Sequence, residues 1–331
     1  MDTTVCTQTQ SKDYLSRENT KCLKGILAVC VLAHHLYQHS GLLRNGWLRY
    51  LGAGFQALGF VVVACFFFLS GYGLILSFRK DPLKIRSFGR HKIIPFYLII
   101  LLLVIIYYVF YLCLGQRISA VSIVKSLTFG GTIIANGWYL QVQLLYYLMF
   151  YLVFRFVRKK QLLLMLAMHI VYIVLCIVLG LSSLLYERTL IFVYGMIWYE
   201  KRETIDNWIN SKKSRWAIIW LASCVLFAFN YMLSFRAVPV LFRGLSYFFF
   251  VTLVIMLLTK IKIQNRVTSF LGAISLEIYV VQGLFLILFH IGNTNVSNPY
   301  LYILAVTSST IISALILHPL IRLVYSSFKK L

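Results

Sequence analysis

The sequence predicts an all-α, polytopic membrane helix bundle of about ten transmembrane helices, with both termini cytoplasmic. Three observations carry this reading. Apolar residues make up 60% of the 331-residue chain and charged residues only 12%, about half the charged share usual in soluble domains. The apolar residues come in unbroken runs, not in the alternation of a membrane β-barrel. Between the runs, Lys and Arg fall unevenly on the two sides that the runs define. A soluble globule, a disordered chain and a disulfide scaffold are thereby excluded.

Along the chain, residues 1–21 are polar with no apolar signal-peptide core, and read as a cytoplasmic N-terminal segment. A single transmembrane domain follows over 22–325, then a short basic cytoplasmic tail over 326–331. The apolar runs lie near 23–41, 51–78, 93–114, 137–157, 161–181, 184–200, 216–235, 240–259, 267–291 and 299–324. In the second run, Gly52, Gly54 and Gly59 permit close helix packing. The fourth opens on Trp138 and Tyr139, which suit a membrane interface. His169 in the fifth run reads as a satisfied structural residue, and His290 and His318 as span-end residues. No connection is long enough for a second folded domain, and no repeat is found. Asn295-Val296-Ser297 fits a glycosylation sequon, a match that chance readily supplies.

The net charge of +23 comes from 32 Lys+Arg against 9 Asp+Glu. Such an excess in a soluble protein suggests nucleic acid; here it reads as topology, and no nucleic-acid partner is expected. With the N-terminus inside, 25 basic residues fall on the inner segments and 7 on the outer ones, Arg44, Arg49, Arg117, Lys125, Arg188, Arg236 and Arg243. That asymmetry fits the positive-inside rule. The seven cysteines are scattered, with no partner at metal-ligand spacing, so neither a metal nor a disulfide framework is expected.

The first span is the most informative. Its continuous apolar run, Gly25 to Ala33, is too short to cross a bilayer unless His34 and His35 lie inside it. From Lys24 to His35 the helix rises roughly 16 Å, about half the hydrocarbon core. The eleven steps bring Lys24 and His35 to one helical face, with His34 about 80° away. A histidine at that depth belongs in a cavity or against a partner. It is either a general base or nucleophile or a neutral residue bonded to a neighbouring helix.

Other candidates each have a plain alternative. Glu277, the one carboxylate well inside a span, either orients a histidine, binds substrate, or neutralises a nearby cation at the boundary. Gln282 lies five residues on. Gln141 and Gln143 either bond a sugar or join helices. The basic loop Arg79–Lys92 either obeys the positive-inside rule and meets anionic lipid, or holds a phosphate.

Five segments, in order, resemble the membrane acyltransferase-3 family of bacterial enzymes that O-acylate surface polysaccharides and related glycans. They are Lys24-Gly25-Ile26 through Ala33-His34-His35, the run FFFLSGYGLIL at 66–76, and Arg90-His91-Lys92-Ile93-Ile94-Pro95-Phe96-Tyr97. Trp138-Tyr139-Leu140 with Tyr146-Tyr147 is the fourth, and LGAISLEIYVVQ at 271–282 the fifth. Three positions depart from the family pattern. Lys24 stands for an Arg and loses its bidentate fork. Gln143 stands where many members carry Glu, and Gln282 where many carry His. His35 is left as the one histidine at a motif position.

The resemblance implies an integral-membrane O-acyltransferase, acetyl first of all, in a bacterial cytoplasmic membrane. It would move an acyl group from cytoplasmic acyl-CoA, a co-substrate and not a bound cofactor, to a cell-surface or lipid-linked glycan outside. His35 would be base or transient acyl carrier. Lys24, Arg86, Arg90 and Lys92 would meet the donor's phosphates. Ser70, Trp138, Tyr139, Gln143, Glu277, Tyr279 and Gln282 would line the acceptor cavity. A glycan transporter or flippase, and an inactive partner in a glycan-assembly complex, are the rival classes. A homo-oligomer is left open.

Overall fold

The computed structural model describes residues 13–43, 46–235, 239–291, 296 and 298–328. Residues 1–12, Arg44, Arg236, the sequon residues Asn295 and Ser297, and 329–331 of the tail lie outside the described residues. Twelve α-helices and no strand make up the rest: α1 (Arg17–Ser40), α2 (Arg49–Lys80), α3 (Ile94–Cys113), α4 (Ala120–Leu127), α5 (Trp138–Phe156), α6 (Gln161–Val178), α7 (Thr189–Asn210), α8 (Lys213–Leu233), α9 (Pro239–Leu258), α10 (Arg266–Ala273), α11 (Ser275–Ile291) and α12 (Pro299–Ser327).

Six of these, α2, α3, α6, α8, α9 and α12, are long and apolar enough to cross a membrane, and the bent pair α10–α11 adds a seventh if taken as one span. The helices α1, α5 and α7 are comparable in length, at 24, 19 and 22 residues. Polar residues lower their apolarity: Lys24, His34 and His35 in α1, Gln141 and Gln143 in α5, and the charged stretch from Glu200 in α7.

Most helix ends follow the apolar runs, with three differences. Helix α1 begins at Arg17, inside the segment read as polar, because Ser16 caps it by accepting the Asn19 backbone N–H. Helix α7 starts at Thr189 and continues to Asn210, so most of the basic segment 201–215 is helix and not loop. Arg202 accounts for this: it pairs with Asp206 one turn on and with Asp13, and donates to the Tyr72 hydroxyl. Tyr14 joins the same cluster by donating to Asp206, and burial raises its phenol pKa above the ordinary value. The third difference is in the run 267–291, which breaks at Ile274 into α10 and α11, bent by 69°. Asn265 and Thr268 form a capping box that fixes α10 as a separate unit.

Helix α2 is the central element: 71% of its most apolar stretch is buried, against 11% for α8. Val174 on α6, Leu221 on α8 and Ile312 on α12 face outward, where hydrocarbon replaces a protein neighbour. Helices α2 and α7 interlock through glycines. A Cβ on Gly71 would strike the Phe192 carbonyl, and one on Gly195 the Phe68 carbonyl. Backbone has nowhere to yield there. Gly195→Leu is expected to cost about 3 kcal/mol or more, read as a lower midpoint of thermal unfolding in detergent.

Candidate functional site

A cavity of about 790 Å³ opens between α1, α2, α5, α11 and the segment leading into α3. One wall is a stripe of α2. Phe66, Leu69, Ser70, Gly73, Leu74 and Ser77 all line it, and their spacing of three and four is the repeat of one helical face. The stripe is roughly 16 Å long. Its small residues make the room: a Cβ on Gly73 would meet nothing within 4 Å. Helix α5 supplies Tyr139, Gln143 and Tyr147, again one face at steps of four.

The basic end is built by irregular backbone. Asp81 caps a short 3-10 turn, Pro82–Ser87, and a π turn, Gly89–Ile93, leads into α3. Pro95 lacks the N–H that a regular helix there requires, and the Ile94 N–H instead reaches back to the Gly89 carbonyl. These turns bring Lys84, Ser87, His91 and Lys92 to the cavity, opposite Lys24 of α1. Lys84 lies 3.6 Å from Asp81. Lys24 and Lys92 have no carboxylate partner among the described residues. The Lys92 ammonium sits 5.1 Å from the Tyr147 ring centre and 5.9 Å from that of Tyr325, so aromatic faces offset part of its charge.

The far end is aromatic. Tyr139 packs against Phe66 at 6.1 Å and Tyr279 at 5.4 Å. The Tyr279 hydroxyl donates to the Asn136 carbonyl at 2.8 Å, and Tyr139 donates to Gln143 Oε1 at 3.4 Å. The cavity is therefore cationic at one end and uncharged at the other.

Of the residues read from the sequence, Lys24, Ser70, Lys92, Tyr139, Gln143 and Tyr279 come together here. Six others do not line the cavity. Arg86 and Arg90 are exposed and stand outside the lining, whereas Lys84 and His91, also exposed, edge the cavity. Trp138 lies under the buried Arg188, whose guanidinium is 5.1 Å from its ring and 4.7 Å from that of Tyr247. Glu277 is buried and 2.7 Å from His318 Nδ1, so it orients a histidine of α12 rather than facing the cavity. Gln282 is fully buried and donates to the Tyr279 carbonyl.

His35, the sixth, stands outside the lining, about three turns along α1 from Lys24. Its Nδ1–H donates to Gln38 Oε1 at 3.2 Å, which leaves Nε2 with the lone pair. His34 points elsewhere, as the helical spacing requires. It donates Nδ1–H to the Phe55 carbonyl at 2.9 Å, and its ring fills the space over Gly59. His34 thus holds α1 to α2. His169 is buried, donates to the Met165 carbonyl and stacks on Phe192, while its Nε2 has no hydrogen-bond partner among the described residues, so the satisfied residue read from the sequence is satisfied at one nitrogen only. Gln141 donates to the Lys125 and Gly131 carbonyls and pins the segment before α5.

Sequence reasoning did not single out Lys84, Ser87, His91 or Tyr325 for the cavity, nor Arg188 for the interior. The three- and four-residue spacing along α2 could have found that wall in advance. Nothing in the periodicity marks a π turn.

The family model described as an acyltransferase domain matches residues 19–318. No curated protein and no solved structure matches the chain. The match runs from the first turn of α1 to His318 and so takes in all five motif segments and every residue of the cavity lining but Tyr325, and the chain belongs to the membrane acyltransferase-3 family.

Proposed function

We propose that this protein is an O-acyltransferase of a bacterial cytoplasmic membrane, moving an acyl group, acetyl first of all, from cytoplasmic acyl-CoA to the hydroxyl of an extracytoplasmic glycan. One observation carries the reading: a cavity lined largely by the family motifs holds Lys24 and Lys92, without carboxylate partners among the described residues, at the charged end of a chamber whose other end is uncharged. Phosphates suit the first part and an acyl-bearing arm the second.

The topology supports the same direction. Counting α1, α5 and α7 with the six apolar helices and the bent pair gives ten spans, and the basic end is then cytoplasmic by the positive-inside rule. The donor enters from that end. The acyl group passes the Phe66–Tyr139–Tyr279 cluster and meets His35, whose Nε2 takes the proton from the attacking sugar hydroxyl or carries the acyl group in transit. The acceptor is a cell-surface or lipid-linked glycan on the far side.

The donor half is open to direct test. Lys24→Gln and Lys92→Gln are each expected to weaken acetyl-CoA binding about tenfold or more, and to flatten its dependence on salt. Calorimetric titration of the purified proteins at two ionic strengths checks this. Affinities equal to the wild type would remove the phosphate role.

A further inference from the structure

Gln143 is a buried amide whose oxygen is engaged and whose nitrogen is not. Its side chain is 1% exposed and reaches the cavity wall. Tyr139 donates to its Oε1, which orients the amide. Its Nε2 has no acceptor among the described residues. A buried donor left in this state is costly, and a ligand that brings an acceptor removes the cost. The other polar groups of the cavity cannot serve as well. Lys24, Lys84 and Lys92 lie at the charged end, the hydroxyls of Ser70 and Ser77 rotate to donate or accept as a ligand demands, and that of Ser275 donates to the Gly272 carbonyl. Gln143 presents an oriented, uncharged donor, one turn along α5 from Tyr139 and one turn from Tyr147.

We infer that Gln143 Nε2 donates to the carbonyl oxygen of the acyl thioester and so distinguishes the acylated donor from free CoA. This rests on the donor reading above and adds to it a selectivity between substrate and spent product. A carbonyl is the acceptor that an acyl-CoA has at its acyl end and that the free thiol lacks. Before transfer the bond positions the thioester; after transfer the thiol has nothing to accept it, and CoA leaves more readily. The amide also stabilises the negative charge that builds on the carbonyl oxygen as the thioester is attacked.

The test compares acetyl-CoA with CoA on wild-type protein and on Gln143→Met, which keeps the length and volume of the side chain without the donor. Thermal unfolding in detergent monitors the fold, and Gln143→Asn serves as a second variant that keeps an amide. The wild type is expected to bind acetyl-CoA about tenfold more tightly than CoA. Gln143→Met is expected to bind the two alike, through loss of acetyl-CoA affinity alone, and Gln143→Asn to retain part of the preference. Equal weakening of both ligands, or an unchanged preference, overturns the assignment while leaving the donor reading in place. Failure of the wild type to bind either ligand overturns both.

Discussion

Replacing His35 by alanine is expected to lower acyl transfer about 100- to 10,000-fold, the usual loss when a general acid–base group is removed, with acetyl-CoA binding unchanged. The separation of the two effects follows from where the residues lie. Lys24 and His35 share a face of α1, roughly 16 Å apart, and only Lys24 lines the cavity. His35 is bonded through Nδ1 to Gln38 within its own helix, so among the described residues no hydrogen bond between helices is lost with it. His34→Ala is the contrast: it removes the bond to the Phe55 carbonyl and leaves a void over Gly59, and lower thermal stability is expected there. Turnover, binding and unfolding measured on both variants resolve the assignment. Normal turnover in His35→Ala would place the chemistry elsewhere.

Gly73→Leu is the second large effect, and it acts on space alone. The glycine lies on the cavity stripe of α2 with nothing within 4 Å of where a Cβ would stand. A leucine enters the cavity without displacing backbone, and exchanging a mid-helix glycine for it favours the helix by about 0.5–1 kcal/mol. Acetyl-CoA binding is expected to fall at least about tenfold, with unfolding unchanged or raised. Gly73→Ala should fall between. The contrast with Gly195→Leu is informative, because that glycine meets the Phe68 carbonyl and its replacement damages the fold. Undiminished binding in Gly73→Leu would move the donor out of this cavity.

Much of the fold was legible because a bilayer imposes one rule on every span, a long apolar helix. Nine of the apolar runs correspond to single helices. The remaining run, 267–291, carries no Pro, so composition could not reveal the bend at Ile274, which depends on the capping box at Asn265 and on tight packing of Gly272 against the Lys21 backbone. The short helix α4 was missed for a similar reason: eight residues ending at Leu127 leave too little pattern to read. Charge counting also treated Arg188 as a loop residue, whereas two aromatic rings hold it inside.

The site divides along the same line. Lys24, Ser70, Tyr139, Gln143 and Tyr279 sit on regular helices, where spacing along the sequence gives the face. The residues of the basic loop sit on a 3-10 turn followed by a π turn, where it does not. That is why the sequence did not show which of them line the cavity, Lys84, His91 and Lys92, and which do not, Arg86 and Arg90. Glu277 shows a different limit. Its alternatives were stated from one helix, but its partner His318 comes from another helix forty-one residues away, and only packing joins them.

Purified wild-type protein in sealed vesicles, supplied with labelled acetyl-CoA on the side of the basic end and a glycan acceptor on the other, tests most directly whether the cavity delivers an acyl group across the bilayer. The expected result is label on the glycan as a base-labile ester, formed by the wild type and not by His35→Ala. Glycan that crosses the vesicle membrane without acquiring label would contradict it and mark a transporter instead.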